Sequence, residues 1–332
     1  MIVHICCSVD SWYFLAKLRE KRPSEMITGF FYNPNICPRN EYMSRLIDAK
    51  RRCDRLKIAF IEGEYDTDSF LLAARGLENE PEKGARCARC FDLRLERTAR
   101  EGTRLGEKSF SSTLLISPKK DLIQLKAAAQ RIAKRYDLEF VFEDFRKNGG
   151  TQAAFALARE KEAYFQNYCG CAWALIKQRA AQGRFAAELI CPIDGAKTAC
   201  DLRLEAISER ARRENAGETA RLYKTKIMEW RLLSGSLIDE GGSPIACDIA
   251  PYSASANVKT RLIALSEYAA RFEKSAGFVT RRSFADKNDA REALGLSARD
   301  ITPIFVVEDL PKGVVVASIE SALYQEDALI CN

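Results

Sequence analysis

Six of the twelve cysteines stand in three tight pairs, Cys6-Cys7, Cys87-Ala-Arg-Cys90 and Cys169-Gly170-Cys171. Pairs so close are poorly placed to bridge within themselves, because a disulfide needs Cα atoms roughly 4.4–6.8 Å apart and a defined side-chain dihedral. Their thiolates can converge on a metal instead, and clustered thiolates select zinc, copper(I) or iron–sulfur clusters. Six thiolates exceed the four of a tetrahedral site, so the pattern calls for a cluster and something beside it. Asp10 follows the first pair by three residues. It reads either as a further metal ligand or as the N-cap of the next helix. The single histidine, His4, falls inside an apolar run and reads as structural. A site built on imidazole is therefore not expected.

The other six cysteines, Cys37, Cys53, Cys191, Cys200, Cys247 and Cys331, are scattered and read mainly as small buried hydrophobes. Twelve cysteines in a chain that opens Met1-Ile-Val-His-Ile-Cys6, with no basic leader, point to a reducing, cytoplasmic setting and bound metal. No run approaches the ~18 consecutive apolar residues of a membrane span, so no membrane partner is expected. Charge is uneven along the 332 residues. Residues 1–190 carry 33 Lys+Arg against 25 Asp+Glu, and residues 191–332 carry 19 against 21. A basic first half beside a near-neutral remainder suits a polyanionic partner such as RNA.

The elements that must position these groups follow from periodicity. Strands are expected at Met1–Cys6, Met26–Tyr32, Ile58–Ile61, Ser109–Leu115 and Leu138–Phe142. Between them come helices at Asp10–Lys21, Asn40–Leu56, Asp66–Leu77, Phe91–Arg104 and Lys119–Tyr136. Short apolar strands alternating with helices imply an α/β fold, a Rossmann-like parallel sheet covered on both faces. Ligands of such sheets bind beyond the carboxyl ends of the strands, where Cys6-Cys7 would sit. Residues 153–180 are expected to be helical around Cys169-Gly-Cys171. A boundary near residue 190 separates a metal-binding catalytic domain, 1–190, from a C-terminal extension, 191–332. The extension is expected to be mainly α, with helices at 199–213, 216–233 and near 257–275, and a β-hairpin pairing Thr302–Val307 with Val314–Ser318. Arg210, Arg212, Arg213 and Arg221 would share the helical hairpin. All metal ligands are expected before residue 191, so a 1–190 fragment should still assemble the cofactor.

The first loop, Cys6-Cys7-Ser8-Val9-Asp10-Ser11, has the outline of the Ser-Gly-Gly-x-Asp-Ser pyrophosphatase loop of adenine-nucleotide alpha-hydrolase-like proteins. In that loop glycines let backbone amides approach a phosphate at a helix N-terminus. Here cysteines replace both glycines, which argues for metal in place of phosphate.

Five ordered segments carry a closer likeness. They are Cys6-Cys7-Ser8-Val9-Asp10; Tyr32-Asn33-Pro34-Asn35-Ile36 with Pro38 and Glu41-Tyr42; Arg86-Cys87-Ala-Arg-Cys90-Phe91; Ser112–Leu115 with Ser117-Pro118-Lys119-Lys120; and Gln166-Asn167-Tyr168-Cys169-Gly170-Cys171. Over about residues 1–190 the chain resembles the QueH family of epoxyqueuosine reductases. The resemblance implies a [4Fe–4S] cluster beside a mononuclear iron, held by Cys6, Cys7, Asp10, Cys87, Cys90, Cys169 and Cys171. It also implies reductive removal of the epoxide oxygen from epoxyqueuosine at a tRNA wobble position, with an unidentified electron donor. Cys6, Cys7 and Asp10 would be catalytic. Tyr32, Asn33, Asn35, Glu41, Tyr42 and Arg45 would line a base pocket. Arg86, Arg89, Lys119 and Lys120, with Arg146 and Lys147, would meet tRNA phosphates. Two other readings compete: an ATP-dependent iron–sulfur tRNA thiolase, and a non-catalytic zinc–thiolate RNA-binding protein.

Overall fold

The computed structural model describes residues 1–190, 197–250, 253–285, 287–297 and 302–332. Cys191 lies outside the described residues. The chain forms two compact units, one made of Met1–Leu189, Cys200–Thr225 and Ala328–Asn332, the other of Ile190–Ala199 and Lys226–Asp327. The segment that leaves the first unit near residue 190 thus returns to it from Cys200 to Thr225.

The first unit is a doubly wound α/β fold. Strands β1 (Ile2–His4), β2 (Thr28–Phe31), β3 (Ala59–Glu62), β4 (Ser109–Ser112) and β5 (Glu139–Phe140) form a sheet of order β3-β2-β1-β4-β5. Every pairing is parallel; Ile2 stands opposite both Thr28 and Phe110, and Thr28 opposite Ala59. β1 is buried throughout, as expected of a strand covered on both faces. The helices are α1 (Ser8–Lys21), α2 (Arg39–Arg55), α3 (Thr67–Ala74), α4 (Ala85–Arg104), α5 (Leu122–Tyr136), α6 (Gly150–Glu160), α7 (Ala172–Ala180) and α8 (Ala199–Asn215). The core of this unit joins Ile2, Val3 and Ile5 to Phe14, Phe30, Phe31, Leu95 and Phe110. Burial of such side chains contributes about 1.5–3 kcal/mol each.

Three expectations about this unit change. α4 begins at Ala85, so Cys87 and Cys90 lie inside the helix and not before it. Residues 153–180 are two helices, α6 and α7, and Cys169-Gly-Cys171 stands in the loop between them. β4 gives way after Ser112 to a 3-10 turn, Thr113–Ile116, opened by the Ser112 hydroxyl accepting from the Leu114 amide at 3.2 Å.

The second unit corrects the expectation of a mainly α extension. Its strands β6 (Leu222–Asp239), β7 (Pro244–Ile245), β8 (Cys247–Ile249), β9 (Ala256–Ala264), β10 (Ala269–Phe272), β11 (Phe278–Thr280), β12 (Ile304–Val307) and β13 (Val314–Cys331) form a sheet of order β7-β6-β13-β9-β10-β11-β12-β8. The helices expected at 216–233 and 257–275 are strands. In β9, Val258, Thr260 and Leu262 turn inward while Asn257, Lys259 and Arg261 are exposed, the period of two that defines a strand. The expected hairpin is also absent. β13 pairs with β9, Val314 opposite Arg261, while β12 pairs with β11 and β8. α9 (Lys287–Leu294) accompanies this sheet, whose core joins Leu237, Phe272, Val279, Phe305 and Val315. Among the described residues no helix is long and apolar enough to cross a membrane.

Candidate metal centre and cleft

The carboxyl end of β1 delivers Cys6 and Cys7, and α1 starts at Ser8. Asp10 sits in the first turn of α1. It is not the N-cap: that position belongs to Cys7, which makes no side-chain capping bond. Asp10 instead turns toward the cysteines, with the Cys7 thiol donating to its Oδ2 at 3.3 Å. The ligand atoms of Cys6, Cys7 and Asp10 lie within 4.8 Å of one another, and all three residues are buried. Their electrostatics are those of crowded acids. Burial, and then the Cys6 thiolate, push the Asp10 carboxyl up to about 7. A hydrogen bond from Cys7 draws the Cys6 thiol well below its ordinary value, with Arg94 and Lys120 helping and burial opposing. The same bond and burial raise Cys7. One thiolate, Cys6, stands at one shielded point beside a protonated thiol and a carboxyl whose ionisation is resisted, a site where a cation would favour the ionised form of all three.

The other four paired cysteines line a neighbouring cavity. Cys87, Cys90, Cys169 and Cys171 share its wall with Phe70, Phe91, Arg94 and Lys120. Cys87 and Cys90, three residues apart in α4, lie on one helix face, and Arg94 follows one turn later. Arg94 reaches Cys90 Sγ at 3.9 Å and donates to Asn33 Oδ1. Burial raises Cys90 to about 12, with Arg94 opposing. No three of these four sulfurs approach as closely as the Cys6–Cys7–Asp10 donors do, among the described residues.

Gly170 makes the Cys-Gly-Cys loop possible. Its φ of +118° lies in the region glycine alone enters readily, and a Cβ there would lie 2.9 Å from Ile36 and 3.2 Å from Arg45. Arg45 holds this loop from α2, donating to the carbonyls of Tyr168 and Cys169, each at 3.0 Å. Glu41 accepts from Arg45 at 2.7 Å and from the Tyr164 hydroxyl at 2.6 Å.

Several residues expected in a base pocket therefore do other work. Tyr32, Asn33, Asn35, Glu41, Tyr42 and Arg45 are all buried. Asn33 donates to the Ile5 carbonyl at 2.8 Å, and Tyr42 packs against Phe31 and Tyr65. Asn35 lines the four-cysteine cavity. Arg86, expected at a phosphate, is buried and donates to the carbonyls of Leu77 and Glu78. Lys120 donates to Cys169 Sγ at 2.9 Å. Arg146 binds Asp144, and its guanidinium reaches the Ser117 and Lys120 carbonyls. Arg89, Lys119 and Lys147 are exposed. His4 is structural, its Nδ1 3.0 Å from Ser112 Oγ and its Nε2 3.1 Å from the Tyr32 carbonyl.

An open cleft lies over the Cys6–Cys7–Asp10 group. Cys6, Val9, Asp10, Glu82, Ser117, Pro118, Lys119 and Lys120 line it with Phe155, Phe165, Gln166, Asn167, Tyr168 and Cys169, around about 270 Å³. That is close to the lower end of small-molecule sites, roughly 300–1,000 Å³. Phe155 and Phe165 stack at 6.3 Å, and the shielded Gln166 Oε1 has no partner among the described residues. Phe155, Phe165 and Arg94 escaped the sequence reading. Arg94 was signalled only by its four-residue spacing from Cys90; the two phenylalanines carried no signal apart from core aromatics.

The family model described as Epoxyqueuosine reductase QueH matches residues 1–177. A curated relative so named from Helicobacter pylori is 43% identical over 270 residues, covering 77% of this chain and 72% of its own. The chain belongs to the QueH family of epoxyqueuosine reductases. It is an oxidoreductase that acts on epoxyqueuosine. Relatives of the same name from Acinetobacter baylyi and Thermotoga maritima are 39% and 36% identical. They match 55% and 54% of this chain and 85% and 92% of their own. The H. pylori match is longer than residues 1–190 and so extends into the C-terminal region, which the shorter matches need not enter. A solved U34-tRNA thiolase NcsA from Methanococcus maripaludis with its [4Fe-4S] cluster matches at TM-score 0.34 and 9% identity, over 64% of this chain and 72% of its own. So distant a likeness lends the thiolase reading no weight.

Proposed function

We propose that the protein removes the epoxide oxygen of epoxyqueuosine at the wobble position of tRNA, using two metal groups divided as the two donor sets are divided. Cys87, Cys90, Cys169 and Cys171 would hold a [4Fe–4S] cluster. Cys6, Cys7 and Asp10 would hold a single iron under the cleft. The observation that carries this reading is the spacing. One mixed thiol–carboxylate group is tight enough for a single ion, and four thiols around an adjoining cavity are spread more widely, as ligands to separate irons of one cluster must be. Bound there, the metal groups would supply reducing electrons and a Lewis acid.

Deoxygenation of an epoxide takes up two electrons and two protons, leaves a carbon–carbon double bond and releases water. The chain's own task is to bind the base, orient its epoxide over Cys6 and Asp10 and limit access of bulk water. Phe155, Phe165 and Tyr168 provide flat apolar surface for an unstacked base, and Gln166 and Asn167 provide polar edges. Lys119 and Arg89, both exposed, remain available to phosphates.

Anaerobically prepared protein tests the reading. It should be brown, contain iron and sulfide, and convert epoxyqueuosine in tRNA to queuosine when given a low-potential reductant. Colourless zinc-loaded protein without turnover would favour a non-catalytic RNA-binding role.

A further inference from the structure

Three residues line both the four-cysteine cavity and the open cleft: Glu82, Lys120 and Cys169. Cys169 is therefore the paired thiol that borders both spaces. The Lys120 ammonium lies 2.9 Å from its sulfur. Lys120 also interacts electrostatically with Cys6, the thiol of the other donor group. Its side chain is partly buried, and its backbone carbonyl accepts from Arg146 at 3.3 Å, which ties the Ser117-Pro118-Lys119-Lys120 loop in place. A lysine held at a sulfur, at the junction of two donor groups whose thiols ionise on binding metal, is placed to offset charge.

We propose that Lys120 is a positioning residue that sets the reduction potential of the group held by Cys87, Cys90, Cys169 and Cys171. It does so by hydrogen bonding to Cys169 and by compensating charge at the boundary with the cleft. The inference rests on the iron–sulfur reading of these four cysteines. Hydrogen bonds to ligand sulfurs and nearby positive charge both stabilise the reduced, more negative form of such a group, and so raise its potential. Lys120 thereby makes the group easier to reduce. The neighbouring Lys119 is exposed and does not border the four-cysteine cavity, which makes it the internal control.

The experiment uses full-length protein, reconstituted anaerobically, as wild type, Lys120→Met, Lys120→Arg, Lys120→Gln and Lys119→Met. Iron and sulfide are counted, and the midpoint potential is read by redox titration of the visible and electron paramagnetic resonance signals. Lys120→Met is expected to shift the midpoint to a more negative value at wild-type iron content. Lys120→Arg should recover most of the shift, and Lys119→Met should show none. A wild-type midpoint in iron-replete Lys120→Met would overturn the proposal. If Lys120→Met does not assemble the chromophore, Lys120→Arg and Lys120→Gln decide: a higher midpoint for Arg supports the proposal, and coincident midpoints reject it. Absence of any iron–sulfur signal in the wild type would instead reject the underlying assignment.

Discussion

Arg45, on α2, donates to the carbonyl of Cys169 at 3.0 Å, so a helix from the sheet's second crossover fixes the Cys-Gly-Cys loop, whose Cys169 lies 124 residues later in sequence. The same guanidinium is paired with Glu41 at 2.7 Å, and both side chains are buried. Charge, loop geometry and donor position are thus one unit.

Removing half of that unit should be costly. Arg45→Met would leave the buried Glu41 carboxylate with the Tyr164 hydroxyl and the nearby Arg203 guanidinium but without its ion-pair partner, and breaking one partner of a buried pair costs roughly 3–5 kcal/mol. The double change Glu41→Gln/Arg45→Met should cost less than Arg45→Met alone. Chemical denaturation of the three metal-free proteins measures this. Stability of the double variant at or below that of Arg45→Met would show that the pair is not the source.

Gly170→Ala should destabilise the metal-free protein by about 1–3 kcal/mol through its positive φ, with further strain from contact with Ile36 and Arg45. Iron retention should fall with it, because the loop carries Cys169 and Cys171. Unchanged stability and iron content would remove the case for a glycine requirement here.

Asp10 predicts a pH signature in the metal-free protein. Its carboxyl is raised from 3.8 to about 7, chiefly by burial. Above the unfolded value the unfolded state gives up its proton while the native state keeps it, so native stability falls as pH rises from about 4 to about 7 and then levels off. The loss is on the order of 4 kcal/mol at most. Asp10→Asn should flatten that decline and make the metal-free protein more stable than wild type at pH 8, while binding less iron. Parallel stability–pH curves for the two proteins would contradict the assignment.

Arg210, on α8, is buried against Asp48 of α2, and Glu214 pairs with Arg51 at 2.7 Å. A fragment ending at residue 190 lacks both groups and leaves Asp48 less compensated, so we expect it to fold poorly or to lose roughly 3–5 kcal/mol. Arg210→Ala in the full chain should reproduce most of the loss. A 1–190 fragment as stable as the parent would show that α8 is dispensable.

How much of this was legible in the sequence depended on the kind of pattern. The first unit announces itself because short apolar strands such as Ile2–His4 alternate with long amphipathic helices. The second unit did not. In β9, Lys259 and Arg261 interrupt the apolar residues, and β13 finds its partner more than fifty residues away, a pairing no local signal can show. The arginines expected on a helical hairpin are on α8, with Arg221 standing just before β6. At the site, the paired cysteines and Asp10 were readable from type and spacing. The scaffolding roles of Glu41, Arg45 and Arg86 were not, because a buried polar side chain and a binding one look alike until their partners are known.

Metal content of single variants tests most directly whether the seven donors form two separate metal groups. Full-length Cys6→Ser and Cys90→Ser proteins, reconstituted anaerobically, should differ in kind. Cys6→Ser should lose about one iron per chain while retaining sulfide and the brown absorption, because its donor group takes a single ion. Cys90→Ser should lose sulfide and colour together. Loss of the chromophore in Cys6→Ser with retention in Cys90→Ser, or the same partial loss in both, would contradict the division.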